Sequence, residues 1–223
     1  MSDGRRLLQC THYEKAHEMT AQSKQLMIAV ATAIIAGALL LDCSPATSSS
    51  ISLESSPEMS RYPYRVIVFI PISHPQLKDQ ECDILSAATE QTLQRLRPSS
   101  RVLMVDKISW LTSGDIRNLG YFARNPKVVD SLTAKTLANI VDREHADAIL
   151  SGELASIIFQ PGDRASTKTV LRYQMVSLPE MRSLWTLSGE AKMTKSVLES
   201  SDPPSIYECA RIAHEKILQS LPL

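Results

Sequence analysis

Residues 148–192 read AILSGELASIIFQPGDRASTKTVLRYQMVSLPEMRSLWTLSGEAK, and this stretch decides the fold. Ala148–Phe159 is an apolar, β-branched run with Gly152 inside it, and Pro161–Arg164 (PGDR) is a turn signal. Thr167–Leu178 and Arg182–Lys192 follow, separated by Pro179 and Glu180, and both alternate between apolar and polar positions. A period of two in these successive segments predicts an antiparallel meander with one face on the core and the other wet. Trp185 falls on the last of these strands and is expected to be a core or edge anchor.

Upstream, the pattern changes. Tyr64–Ile72 (YRVIVFIPI) is a continuous apolar run broken by Pro71 and reads as a buried strand. Asp79–Arg97 places Ile84, Leu85, Ala88, Leu93 and Leu96 at helical spacing and stops before Pro98. Arg101–Val105 (RVLMV) is a short strand, and Ser131–His145 is a helix with Ser131 as its expected cap. Between them, Asp106–Asn125 has no clear period, its aromatic residues being scattered around Gly114 and Gly120. Pro203–Leu221 closes the chain as a helix with Ile206, Ala210, Ala213, Ile217 and Leu221 on one face. The order is β-α-β-(α)-α-β-β-β-α, which predicts a two-layer α/β sandwich with a mixed sheet, because each helix must bury its stripe against the strands.

The amino-terminal part of the sequence carries an address. Gln25–Leu41 (QLMIAVATAIIAGALLL) is 17 residues without a charge, preceded by Lys24 and followed by Asp42 and Cys43. That length lies between a signal-peptide core and a short membrane span. The flanks Leu40, Leu41, Asp42 and Cys43 resemble a bacterial lipoprotein signal, although Asp42 stands where that pattern has a small residue. The resemblance implies diacylation of Cys43, with the thiol as the lipid site, and Ser44 after it favours the outer membrane. Two further readings stay open, an uncleaved anchor and a soluble core helix. Residues 1–42 are thus expected to be a signal peptide or anchor, with Met19 a more typical start for one. The Ser-rich, Pro-containing stretch at 43–60 is expected to be a flexible tether, and 61–223 a single periplasmic domain.

Composition narrows the function. The 223 residues contain 24 Lys plus Arg against 24 Asp plus Glu, a formal net charge of +0, so the basic excess typical of nucleic-acid binding is missing. Hydrophobic residues make up 43%, which excludes wholesale disorder. No HExxH, GxSxG or phosphate-cradling glycine loop occurs, and no metal or cofactor is expected. The histidines have ordinary readings: His74 in a loop, His145 at a helix end where a cation complements the dipole, and His214 on a solvated helix face. Cys82 and Cys209 are either a disulfide, in an oxidising compartment, or two small buried hydrophobes. Aromatic side chains in an irregular segment make good contacts, so Trp110, Tyr121 and Phe122, together with His74–Lys78 after the first strand, form the expected partner surface.

The element order and several phrases also resemble one family. They are the strand ending at Pro71, RVLMVD at 101–106, ADAILSGEL at 146–154, and Leu184–Trp185 in the last strand. Together they are similar to the envelope domain of the Tol-Pal translocation protein's amino-terminal part, of the curli secretion lipoprotein, and of lipoprotein activators of penicillin-binding proteins. The resemblance covers residues 64–220 and implies a non-enzymatic adaptor, assembly factor or activator bound to another envelope protein; a separate reading is a structural subunit that forms homo-oligomers through an exposed sheet edge. The short Phe159–Thr167 connection leaves no room for pore-building hairpins. A second class stays open, a cell-wall hydrolase using Asp83, Glu153 or Asp163 as its carboxylate.

Overall fold

A continuous apolar strand needs cover on both faces, and the chain supplies it from two directions. The computed structural model describes residues 46–55, 64–162, 164–195 and 202–222. Residues 1–42, Cys43 and Asp163 lie outside them, so the signal or anchor, the lipid site and one candidate carboxylate are not described. In chain order the elements are β1 (Ala46–Ser55), β2 (Val66–Ile70), α1 (Asp79–Leu96), β3 (Arg101–Met104), α2 (Ser113–Arg124), α3 (Ser131–Glu144), β4 (Ala148–Gln160), β5 (Ser166–Ser177), β6 (Arg182–Thr194) and α4 (Ile206–Gln219). They form a mixed six-stranded sheet in the order β1-β6-β5-β4-β2-β3. The expected α/β sandwich with a mixed sheet is present.

Strand β2 runs parallel to both β3 and β4. These two lie on opposite sides of β2, so right-handed crossovers put α1 on one face and α2 with α3 on the other. The two cores follow from this. On one face Leu85 and Leu93 of α1 and Ala213 and Ile217 of α4 meet Phe69, Tyr173 and Trp185. On the other, Leu119 and Phe122 of α2 and Leu137 and Ile140 of α3 meet Val68, Ile149 and Val176. The strand's first amides are also held, because the Asp147 carboxylate accepts the N–H groups of Arg65 (2.7 Å) and Val66 (2.9 Å).

From β4 onward all pairing is antiparallel, as the alternation predicts. The face away from α4 is the wet one and carries charge pairs such as Lys168–Glu190 at 2.8 Å. Helix α4 presses close to β6: a Cβ on Gly189 would lie 2.7 Å from Ile217 Cγ1 and 2.8 Å from the Ala213 carbonyl oxygen. Only glycine fits there.

Three expectations are corrected. Within the expected tether at 43–60, residues 46–55 form β1, a full edge strand paired with β6 from Ala46↔Thr194 to Ser55↔Trp185. A hydrogen-bonded edge needs no apolar period, and Ile51 alone in it is half-buried against the core. The segment 106–125 contains α2, the helix in parentheses in the expected order, started by Thr112, whose Oγ1 accepts the Asp115 N–H at 3.1 Å while the Asp115 carboxylate accepts the Thr112 N–H at 3.0 Å. Helix α3 is capped by Asp130 rather than Ser131, its carboxylate accepting the Thr133 N–H at 2.7 Å.

His214 is the third correction. It is buried rather than solvated, with Nε2 2.9 Å from Thr89 Oγ1, which in turn lies 2.8 Å from the Tyr173 hydroxyl. Burial drives the imidazole pKa from 6.5 down to about 4 and raises that of the Tyr173 phenol. Three elements, α1, β5 and α4, are thereby tied by one polar cluster inside an apolar core.

Candidate functional site

Parallel strands in open α/β sheets leave a crevice beyond their carboxyl ends where crossovers part to opposite faces. That condition is met at β2. Ile70 pairs with Ser151, and β4 runs on past it to Gln160, so the end of β2 opens beneath the extended part of β4. A groove of about 630 Å³ lies here, walled by α2 on one side and by Ser73 and Pro75 on the other. Its base is apolar, with Ile70, Pro71 and Ile116. Gly120 opens it further, since a Cβ at that position would meet nothing within 4 Å.

The polar groups of the groove are mostly guanidinium and hydroxyl. The Glu153 carboxylate is shared between Arg124 (3.7 Å) and Arg172 (3.2 Å), so two cations already surround one anion. Arg117 also lines the groove and has no hydrogen-bond or ion-pair partner among the described residues. Arg124 further stacks over the Tyr121 ring at 5.0 Å from its centroid, and that ring is 61% exposed. The mouth therefore presents an exposed aromatic edge and unneutralised positive charge above an apolar base. Such a surface suits an apolar segment carrying a carboxylate.

Of the expected surface residues, the groove contains Tyr121 and, from the His74–Lys78 segment, Pro75. His74 stands between two lining residues without lining the groove itself, and its Nδ1 accepts the Gln76 N–H at 3.2 Å. Lys78 is exposed at the start of α1, where its N–H is accepted by Glu81. Trp110 is folded down onto α3: Nε1 donates to Glu144 at 3.1 Å and Arg143 covers the ring at 5.2 Å. Phe122 is buried in the core and offers no surface, because α2 points it inward, next to the outward Tyr121. Arg117, Gly120 and Arg124 were missed by sequence reasoning. Their signal is the helical phase of 113–124, which puts residues 117, 120, 121 and 124 on one side of α2.

Of the three carboxylates in the hydrolase reading, the two that are described, Asp83 and Glu153, are not brought together. Asp83 is exposed on α1, and Glu153 is the charge held by Arg124 and Arg172. Among the described residues, no three His, Cys, Asp or Glu side chains are grouped to hold a metal ion. The Cys82–Cys209 bridge is not formed: both thiols are free, and Cys209 Sγ donates to the carbonyls of Thr167 (3.2 Å) and Ala191 (3.1 Å). Burial raises the Cys82 thiol pKa, which makes it less reactive. No described helix is long and apolar enough to cross a membrane.

No family model matches the chain, and no curated protein matches it. Several solved structures share its course at low identity. A PelC dodecamer from Paraburkholderia phytofirmans is 12% identical, covering 78% of this chain and 95% of that one at a TM-score of 0.42. Lipoprotein GNA1162 from Neisseria meningitidis is 11% identical, covering 70% and 97% at 0.38. The LpoB C-terminal domain from Escherichia coli is 13% identical, covering 60% and 92% at 0.29. At these values the similarity assigns neither family nor function.

Proposed function

We propose that this chain is a membrane-anchored binding module of the bacterial cell envelope, facing the periplasm, that engages another envelope protein through the groove at the end of β2 and performs no chemistry. Cys43 is the lipid site in this reading, and Ser44 directs the protein to the outer membrane. The observation that carries the binding role is the groove itself: an apolar base, an exposed Tyr121, and an Arg117 with no partner among the described residues. Its one carboxylate, Glu153, is held by two arginines and is poorly placed to act as a base. The N-terminal apolar run and its cysteine support the address.

A photo-crosslinking amino acid in place of Tyr121, introduced into the full chain in cells, tests the reading. One discrete crosslinked protein is expected, lost when Gly120→Phe fills the groove. Crosslinks spread evenly over abundant envelope proteins, unchanged by Gly120→Phe, would refute it. The mass of the chain extracted from membranes, beside Cys43→Ala, tests the address: acyl mass on a chain beginning at Cys43 is expected in the first sample and absent from the second.

A further inference from the structure

The floor of the groove holds a hydroxyl that the fold leaves unused. Ser151 is 7% exposed, lines the groove, and has no hydrogen-bond partner among the described residues. It stands two positions after Ile149 on β4, so it shares the sheet face that α2 covers. Side-chain polar groups buried this deeply are nearly always hydrogen-bonded, so a hydroxyl left over at the base of a groove is available to a bound group. Across the groove, Ser113, Arg117 and Arg124 lie on one side of α2, and Arg117 has no partner among the described residues. The carboxylates nearby are already committed. Glu153 is shared by Arg124 and Arg172, and Asp115 is bonded to Thr112 and, across to α3, to Thr136. What remains for a ligand is one buried hydroxyl facing uncompensated guanidinium charge, which suits a carboxylate.

The shape of the groove says where that carboxylate sits in its own chain. Pairing of β2 to β4 stops at Ile70↔Ser151, and past Ser151 β4 pairs only with β5. An extended chain laid beside the continuing part of β4 therefore runs head-on into Ile70 and Pro71, which line the groove. A chain passing through would have to turn there, whereas a chain that ends there would not. The volume of about 630 Å³ also lies within the range of about 300–1,000 Å³ that encloses a small ligand, so it takes a few terminal residues rather than a folded element. We infer that the groove captures the free carboxyl terminus of an extended partner chain whose last residue is apolar. The terminal carboxylate accepts from the Ser151 hydroxyl and from Arg117, and the last side chain rests on Ile70, Pro71 and Ile116. This rests on the groove as the binding site and names the chemistry of what enters it.

The test offers the full chain, in detergent micelles, a pool of synthetic hexapeptides of randomised sequence with free carboxyl ends, and identifies those retained by mass spectrometry. The expected peptides end in an apolar residue. Remade with an amidated carboxyl end, each should bind about tenfold more weakly or worse, the loss of a charge-assisted contact. Arg117→Gln and Ser151→Ala should each weaken the free acid and leave the amide unchanged, with circular dichroism unaltered, and Gly120→Phe should abolish retention of both. Amides that bind as tightly as the acids overturn the terminus assignment. Retention that survives Gly120→Phe places the peptides elsewhere and overturns the proposal. An empty selection beside a discrete crosslink from position 121 overturns this inference and leaves the binding role standing, whereas an empty selection beside diffuse crosslinks removes both.

Discussion

The two ends of the sheet are built on different terms. At the parallel end β2 is covered on both faces, and Ile67–Ile70 are all buried between α1 on one side and α2 with α3 on the other. At the antiparallel end β6 and all but the last residues of β5 are covered on one face only, and β1 is exposed along nearly its whole length. Apolar burial is the dominant source of stability, so the parallel end holds the fold and the far edge is added to it. The groove sits beside α2, on the stable side. The edge strand contributes hydrogen bonds and little packing.

This contrast can be broken or sharpened by measurement. The largest effect is expected for Phe69→Ala in β2, a loss of about 3–5 kcal/mol in chemical denaturation, since the side chain is fully buried between helices and strands. Next comes acid. The His214 pKa is lowered to about 4 by burial, so as pH falls the unfolded chain takes up the proton first. Stability from this group is complete above about pH 6.5 and falls through the window down to pH 4, by about 3 kcal/mol in all. Stability measured between pH 7 and 4 should show that slope, and His214→Gln should flatten it. A slope that persists in the variant would mean other groups titrate instead.

Gly189→Ala is expected to cost about 1–3 kcal/mol, because the new methyl collides with the backbone of α4 and not merely with a side chain that can turn away. The smallest effect belongs to β1: Leu53→Ser, at a position 46% exposed, should change stability by less than about 0.5 kcal/mol. A Leu53→Ser loss as large as that of Phe69→Ala would abolish the distinction between the two ends.

How far the sequence reveals this molecule depends on which force builds each part. The meander, α1, α3 and α4 are legible because apolar residues recur at period two or at helical spacing, and burial enforces both. Strand β1 is illegible because Thr47–Ser50 and Ser52 pair through backbone alone, and a serine run carries no periodic signal. His214 is misread from its neighbour Glu215, yet it lies four residues after Ala210 and three before Ile217, on the apolar stripe itself. The groove is half legible: Tyr121 stands out as an aromatic, whereas Arg117 and Gly120 gain meaning only once α2 is known to be a helix. Phe122 shows the same lesson, since one step along a helix separates a surface ring from a buried one.

The register of β1 also sets an order of events. Ser50 pairs with Glu190, 140 residues further along, so the first strand of the sheet to be synthesised is among the last that can pair. Closing so long a loop is slow, while β2, α1 and β3 can meet within some forty residues of one another. A nucleus around the parallel strands would form early and wait for β6 before β1 completes the edge. By the same reasoning β1 is the first element to open in native-state hydrogen exchange, leaving five strands and both cores intact.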